Sequence, residues 1–326
     1  MVKDSVTTTY TYNNNNQLTT EQAGGPAINY SYDDNGNLES KSGGGNNTSY
    51  TWDWRDRLVS VSQPGDNTSY EYDGDGTRVS KIQGGVKTKY INDAALPLVQ
   101  VLCETDNSGT IQATYNYGND LISMNRSGVN YYYNYDGLGS ARQLTNSTGN
   151  VTHFYTYDGF GNFIVQMSSS NNPYCFTGEQ QFGEADELVF LRARYYKPSI
   201  GRFLQADPFG MSPMFGISPD GKKIIFFNPL SRYKDGPNLY IYVKNNPLNF
   251  TDPSGMFCCD KAALLDCILR PLLNGNNRDL LSYCTLMCSG CADAPVIVNP
   301  FCGACAACGA LGIGHVAWCF YKNCDF

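Results

Sequence analysis

Cysteine is the residue whose placement could do the most chemistry in this chain. Of thirteen cysteines, all but Cys103 and Cys175 follow Met256. Cys288-x-x-Cys291 and Cys302-x-x-Cys305-x-x-Cys308 have the spacing of zinc ligands, with His315 nearby. The same spacing arises in disulfide-bonded helical hairpins, the usual device of a module too small to bury a core. The count after Met256 is odd, so one thiol stays free or pairs between chains. No His-x-Glu and no His beside an acidic pair occurs there, which argues against a nuclease, deaminase or protease site. Residues 302–321 carry no charge apart from His315, over a length that spans a bilayer core. The tail therefore reads as a disulfide-bonded peptide, a zinc site or a membrane-acting segment. Cys103 and Cys175 read as buried or incidental thiols.

The elements that must carry this tail lie upstream. Tyr10, Tyr30, Tyr50, Tyr70 and Tyr90 recur every twentieth position. A second aromatic follows two residues on (Tyr12, Tyr32, Trp52, Tyr72), then an apolar residue (Leu18, Leu38, Leu58, Val79), then a glycine cluster. A strict period of this length means one small unit stacked on its copies. Tyr-x-Tyr puts both rings on one face of an extended segment. Asp33-Asp34-Asn35-Gly36-Asn37 and Asp73-Gly74-Asp75-Gly76 supply turn chemistry with positive φ. Each unit is thus predicted to be a hairpin, and the series a wide, spiralling sheet. After Met256 the pattern changes: Leu264, Leu265, Ile268 and Leu272 form a helical stripe that Asp260 can cap. The fold class is mainly β, followed by a small α-helical cysteine-rich module over 257–326.

Composition agrees. The chain has 24 Tyr and 33 Gly in 326 residues, and a formal net charge of −7. That charge gives nucleic-acid binding no electrostatic support; Arg192, Arg194, Lys197 and Arg202 form only a local basic cluster. Met-Val-Lys-Asp-Ser-Val at the start has no apolar signal core. An array that opens without a cap predicts a C-terminal piece of a longer protein, or a chain that works beside another.

The Tyr-x-Tyr-Asp-x-x-Gly grammar continues at Tyr133–Gly139 and Tyr155–Asn162 and resembles the YD or RHS repeat proteins. The resemblance strengthens downstream, through Tyr174–Glu179, Leu191–Tyr196, Gly201–Pro208, Asn238–Pro247 and Thr251–Met256, which in this order are similar to the RHS repeat-associated core. It implies repeats over 1–173, a core over 174–256 and a variable C-terminal segment over 257–326, held in a β-shell. It also implies that the core cuts the chain after Asp252-Pro253-Ser254-Gly255-Met256, at Met256–Phe257, through a pair of carboxylates. By motif, Asp207 is the first carboxylate, and Asp252 and Asp235 compete for the second. Arg202 is expected to hold a carboxylate or polarise the scissile carbonyl. The stretch from Phe209 to Asp235 is long for this family; it is expected to contain an extra strand or contact surface at Ile224–Phe227 and to threaten the pairing of Asp207 with Asp252. The implied function is carriage and self-cleaving release of a toxin or effector in competition between cells. Implied partners are the rest of a longer RHS protein or secretion machinery, an immunity protein for the tail, and a target membrane. The implied setting is secreted or cell-surface, with no resident cofactor unless the tail binds zinc. The alternative is a structural or adhesive surface protein whose exposed rings stack on sugars; packing of those rings between hairpins is the competing use.

Overall fold

The computed structural model describes residues 6–45, 47–96, 98–167, 171–181, 187–207 and 238–256, with the backbone of 214–217 and 224–227. The helices, disulfides and cysteine zinc set expected after Met256, together with Asp235 and Phe257, lie outside these residues. Met1–Met211 and Tyr233–Phe257 make one unit. Its main element is a sixteen-stranded antiparallel sheet, from β1 (Thr8–Tyr12) to β16 (Phe163–Met167), in which every strand pairs with the next in sequence.

An Asp builds the turn in most repeats, and Asn13 does so in the first. Asp33 Oδ1 accepts from the amides of Asn35 and Asn37, and the Asp33 and Gly36 amides bond Asn37 O and Asp33 O. Only the fourth turn residue needs positive φ: Gly36 and Gly76 supply it cheaply, while Asn16 and Asp56 adopt it at φ 60° and 59°. These turns are longer than the two-residue kind the dipeptides suggest. At the other end of the sheet Gly84-Gly85, both with positive φ, make such a short turn.

The two rings of each unit have different jobs. The first is core: Tyr30, Tyr50 and Tyr70 are buried, with Leu18, Leu38, Leu58 and Val61. The second sits at a register shift, for instance Thr51↔Ser60 followed by Trp52↔Leu58, which leaves Val59 as a bulge. From there it reaches back one hairpin to a carbonyl. Trp52 Nε1 donates to Leu38 O, Tyr72 Oη to Leu58 O, Tyr135 Oη to Leu121 O and Tyr157 Oη to Ala141 O, at 2.6–2.9 Å. Neighbouring hairpins are thus pinned by rings as well as by strand pairing, so the rings serve the wall itself. Tyr10 and Tyr12, on β1, remain exposed at 38% and 49%.

One repeat position differs from its expected form. Register aligns Arg78, not Val79, with Leu18, Leu38 and Leu58. The buried Arg78 guanidinium lies 3.8 Å from the Phe190 ring centroid and donates to Tyr195 Oη and Gln180 Oε1. The charge stands where leucine is the rule, among the rings of Tyr70, Tyr90 and Phe190 and the two acceptors.

Residues 174–181, 187–207 and 238–256 close one end of this sheet. They include a small sheet of β17 (Gln180–Gln181), β18 (Val189–Leu191), β19 (Arg194–Lys197) and β20 (Arg202–Phe203). Leu188, Tyr195 and Leu204 join the core of the early hairpins. Arg202 donates to Asn16 O in the first turn, and Pro198 O accepts from Asn162 in the last. In a flat sheet those two turns would stand about 67 Å apart, fourteen strand spacings. Four residues of chain reach at most about 14 Å. The sheet is therefore curled into a shell, with the terminal block seated against its turns.

The second unit contributes one described element, the hairpin of β21 (Met214–Ile217) and β22 (Ile224–Phe227), with Met214 opposite Phe227 and Ile217 opposite Ile224. Ile224–Phe227 is thus an extra strand.

Candidate active site

The site is assembled on the two-residue turn between β18 and β19. Leu191 pairs with Arg194, and Arg192 takes φ 55° to make the turn. Arg194 is the hub. Its Nη2 lies 2.9 Å from Asp207 Oδ2 and 3.4 Å from Asp252 Oδ2, and all three residues are at most 4% exposed. The two carboxylates therefore stand within two hydrogen-bond lengths of each other. Arg194 Nη1 donates to Leu239 O at 3.0 Å, Nε donates to Gly255 O, and the guanidinium lies 3.5 Å from the Phe203 ring centroid.

The segment leading to Met256 is held residue by residue. Arg192 Nη1 donates to Pro253 O (2.5 Å), Ala193 N to Ser254 O (3.2 Å) and Arg194 Nε to Gly255 O. Gly255 has φ +66°, and a Cβ there would run into Leu191 O and the Arg194 amide. Ser254 Oγ donates to Asp252 Oδ1 and accepts from the Met256 amide. Beside Arg192, Glu179 Oε1 accepts at 2.8 Å. Burial raises the Glu179 pKa; Arg192 opposes that and the Asp252 charge adds to it.

The long stretch after Asp207 does not part the carboxylates. Phe203 N bonds Tyr240 O, Asp207 N bonds Leu239 O, and Arg202 bridges Ile241. The chain returns to its point of departure before reaching Asp252, so the expected separation does not arise. Arg202, by contrast, is placed away from this cluster. Its guanidinium contacts Asn16 O and Asn238 and lies over Tyr12 and Tyr240. It latches the first turn, and Arg194 occupies the place by the carboxylates that was expected for Arg202. Arg194 stands among buried rings, between Leu191 and Tyr195-Tyr196, as Arg202 does before Phe203, so the sequence alone does not separate the two. Met256 is 36% exposed.

Chemically, one buried guanidinium gathers two carboxylates beside the carbonyl that precedes Met256.

The Teneurin YD-shell family model matches residues 1–117 and 98–248. The chain belongs to this family. The YD-shell chain is 34% identical over 162 residues to the tRNA3(Ser)-specific nuclease WapA of Bacillus spizizenii, an alignment covering 48% of this chain and 6% of WapA. It is 36% identical over 81 residues to toxin subunit YenC2 of Yersinia entomophaga, covering 25% of this chain and 6% of YenC2. Among solved structures, a crystal structure of TcdB2–TccC3–Cdc42 matches with 18% identity and a TM-score of 0.46, over 80% of this chain and 16% of that one. The YD-shell chain thus spans a small part of the length of these relatives. These and other relatives are named as toxins, toxin subunits or a nuclease.

Proposed function

We propose that this YD-shell carries its C-terminal segment and releases it by hydrolysing its own Met256–Phe257 bond, with Asp207 and Asp252 as the acid–base pair. One observation carries the reading. The two buried carboxylates meet on the guanidinium that also holds Gly255 O, so the first carbonyl beyond the held segment is that of Met256. In the reaction the ionised carboxylate takes a proton from water as its oxygen bonds the Met256 carbonyl carbon. The protonated carboxyl then gives its proton to the Phe257 nitrogen as the C–N bond breaks, leaving a carboxylate and an amine. Tethering removes the need for substrate capture, which is worth several kcal/mol of barrier. Arg194 positions both carboxylates and the preceding carbonyl.

The released segment, rich in cysteine, is on this reading a disulfide-bonded effector used in competition between cells, exported as part of a larger assembly; YenC2 is named as a toxin subunit. Intact-mass measurement of the purified chain over days tests the cut. A fragment beginning at Phe257, absent in Asp207→Asn and in Asp252→Asn, is the expected result. A wild-type mass that stays whole refutes it.

A further inference from the structure

The turn residue Arg192 poses a question of its own. Its φ of 55° is a left-handed conformation that costs an L-residue about 1–2 kcal/mol and that glycine adopts freely. A long cationic side chain at such a place calls for something that it does. Its Nη1 bridges two acceptors, Glu179 Oε1 and Pro253 O. Glu179 lies immediately before β17 on a separate stretch of the block, and its side chain is 13% exposed. Arg192, Ala193 and Arg194, three successive residues, grip three successive carbonyls, those of 253, 254 and 255. The outer two grips are guanidinium bonds and the middle one is an ordinary amide bond. Arg194 is fixed by the carboxylates; Arg192 is fixed by Glu179.

We infer, on the self-cleavage reading above, that the Arg192–Glu179 pair is a positioning device that sets the register of the segment before the scissile bond. Proline at 253 has no amide hydrogen, so its carbonyl is the only backbone group there that can be held. With Arg192 in place the segment is pinned at both ends of the three-residue clamp. Without it, Ser254 and Gly255 are still held but Pro253 and the chain before it can pivot about Ser254. Asp252, one residue before Pro253, then shifts relative to Asp207 and Arg194. Neither Arg192 nor Glu179 touches the reacting atoms; they act through Pro253 and Asp252.

The test uses the full chain. Arg192→Gly suits the local φ, so the shell is expected to fold with an unchanged or raised melting midpoint. Its fragment should nonetheless appear roughly 10- to 100-fold more slowly, the scale that small misplacements cost. Glu179→Ala should show the same slowing, and Arg192→Lys, whose ammonium can still bridge the two acceptors, should restore most of the rate. Wild-type cleavage rates in both Arg192→Gly and Glu179→Ala would overturn the inference while leaving the self-cleavage reading standing. If instead the wild type stays whole, that reading fails, and the clamp is judged by amide hydrogen exchange. Exchange at Ser254, Gly255 and Met256 should then be faster in Arg192→Gly by roughly tenfold; unchanged exchange would overturn it there too.

Discussion

Gly255→Ala isolates the seating of the segment before Met256 from the rest of the shell. Two terms oppose the alanine. The left-handed φ of +66° costs about 1–2 kcal/mol for any residue with a Cβ. The Cβ also meets Leu191 O and the Arg194 amide, both backbone atoms of a hydrogen-bonded turn that cannot move aside. Relief comes by lifting Gly255 away, which breaks its bond to the Arg194 guanidinium, about 1.5–3 kcal/mol for a charged donor. The two terms together put the undocked state about 2.5–5 kcal/mol closer, so on the self-cleavage reading the cut from the docked state should slow by roughly 70- to 5000-fold. Ser254→Ala is the matched control. It removes the hydroxyl bonds to Asp252 and Met256, about 1–2 kcal/mol, and should slow the cut by roughly tenfold. The assay is the rate of appearance of the Phe257 fragment by mass spectrometry, with near-ultraviolet circular dichroism to report on the tyrosine-rich wall. A Gly255→Ala chain that cuts as fast as wild type, with its spectrum unchanged, would show that the seated geometry is not the reactive one.

Two further outcomes follow from the wall and the block. Tyr135→Phe deletes a 2.6 Å bond to Leu121 O while keeping the ring, so it should lower stability by about 1 kcal/mol in a denaturant titration; no change would mean that the reach-back bonds do not pin neighbouring hairpins. Glu179, whose pKa is raised in the fold mainly by burial, holds a proton there over a pH range where the unfolded chain has released it. Its contribution to stability therefore falls as pH rises from the ordinary carboxyl range through the raised value. Glu179→Gln should flatten that part of the stability–pH curve, and an unchanged slope would contradict the shift.

The wall was legible because its signals are local. Twenty-residue spacing, alternating rings and Asp-led turns each act within one hairpin, and the sheet simply adds hairpins in order. The residue at Arg78 was misplaced by one because an apolar side chain was expected there: the twenty-residue spacing after Leu18, Leu38 and Leu58 falls on position 78, whose arginine was passed over for Val79. Asp207 and Asp252 were picked out through a motif, not through distance. Their meeting depends on the Phe203–Tyr240 and Asp207–Leu239 bonds, which join residues more than thirty positions apart. Arg202 was chosen over Arg194 for the same reason. Both lie in buried strands of one small sheet, and only the packed block shows that one faces the first turn and the other the carboxylates.

The latch made by Arg202 on the first turn and by Pro198 on the last has a consequence for timing. A ribosome delivers the hairpins in order, and each can settle on its predecessor at once. The ends of the ribbon stay apart until the block that ties them has emerged and folded. Asp207, Arg194 and Asp252 belong to that same block, so any blade they form is assembled only as the container shuts. On the self-cleavage reading, sealing and severing are thereby put in sequence by the order of synthesis.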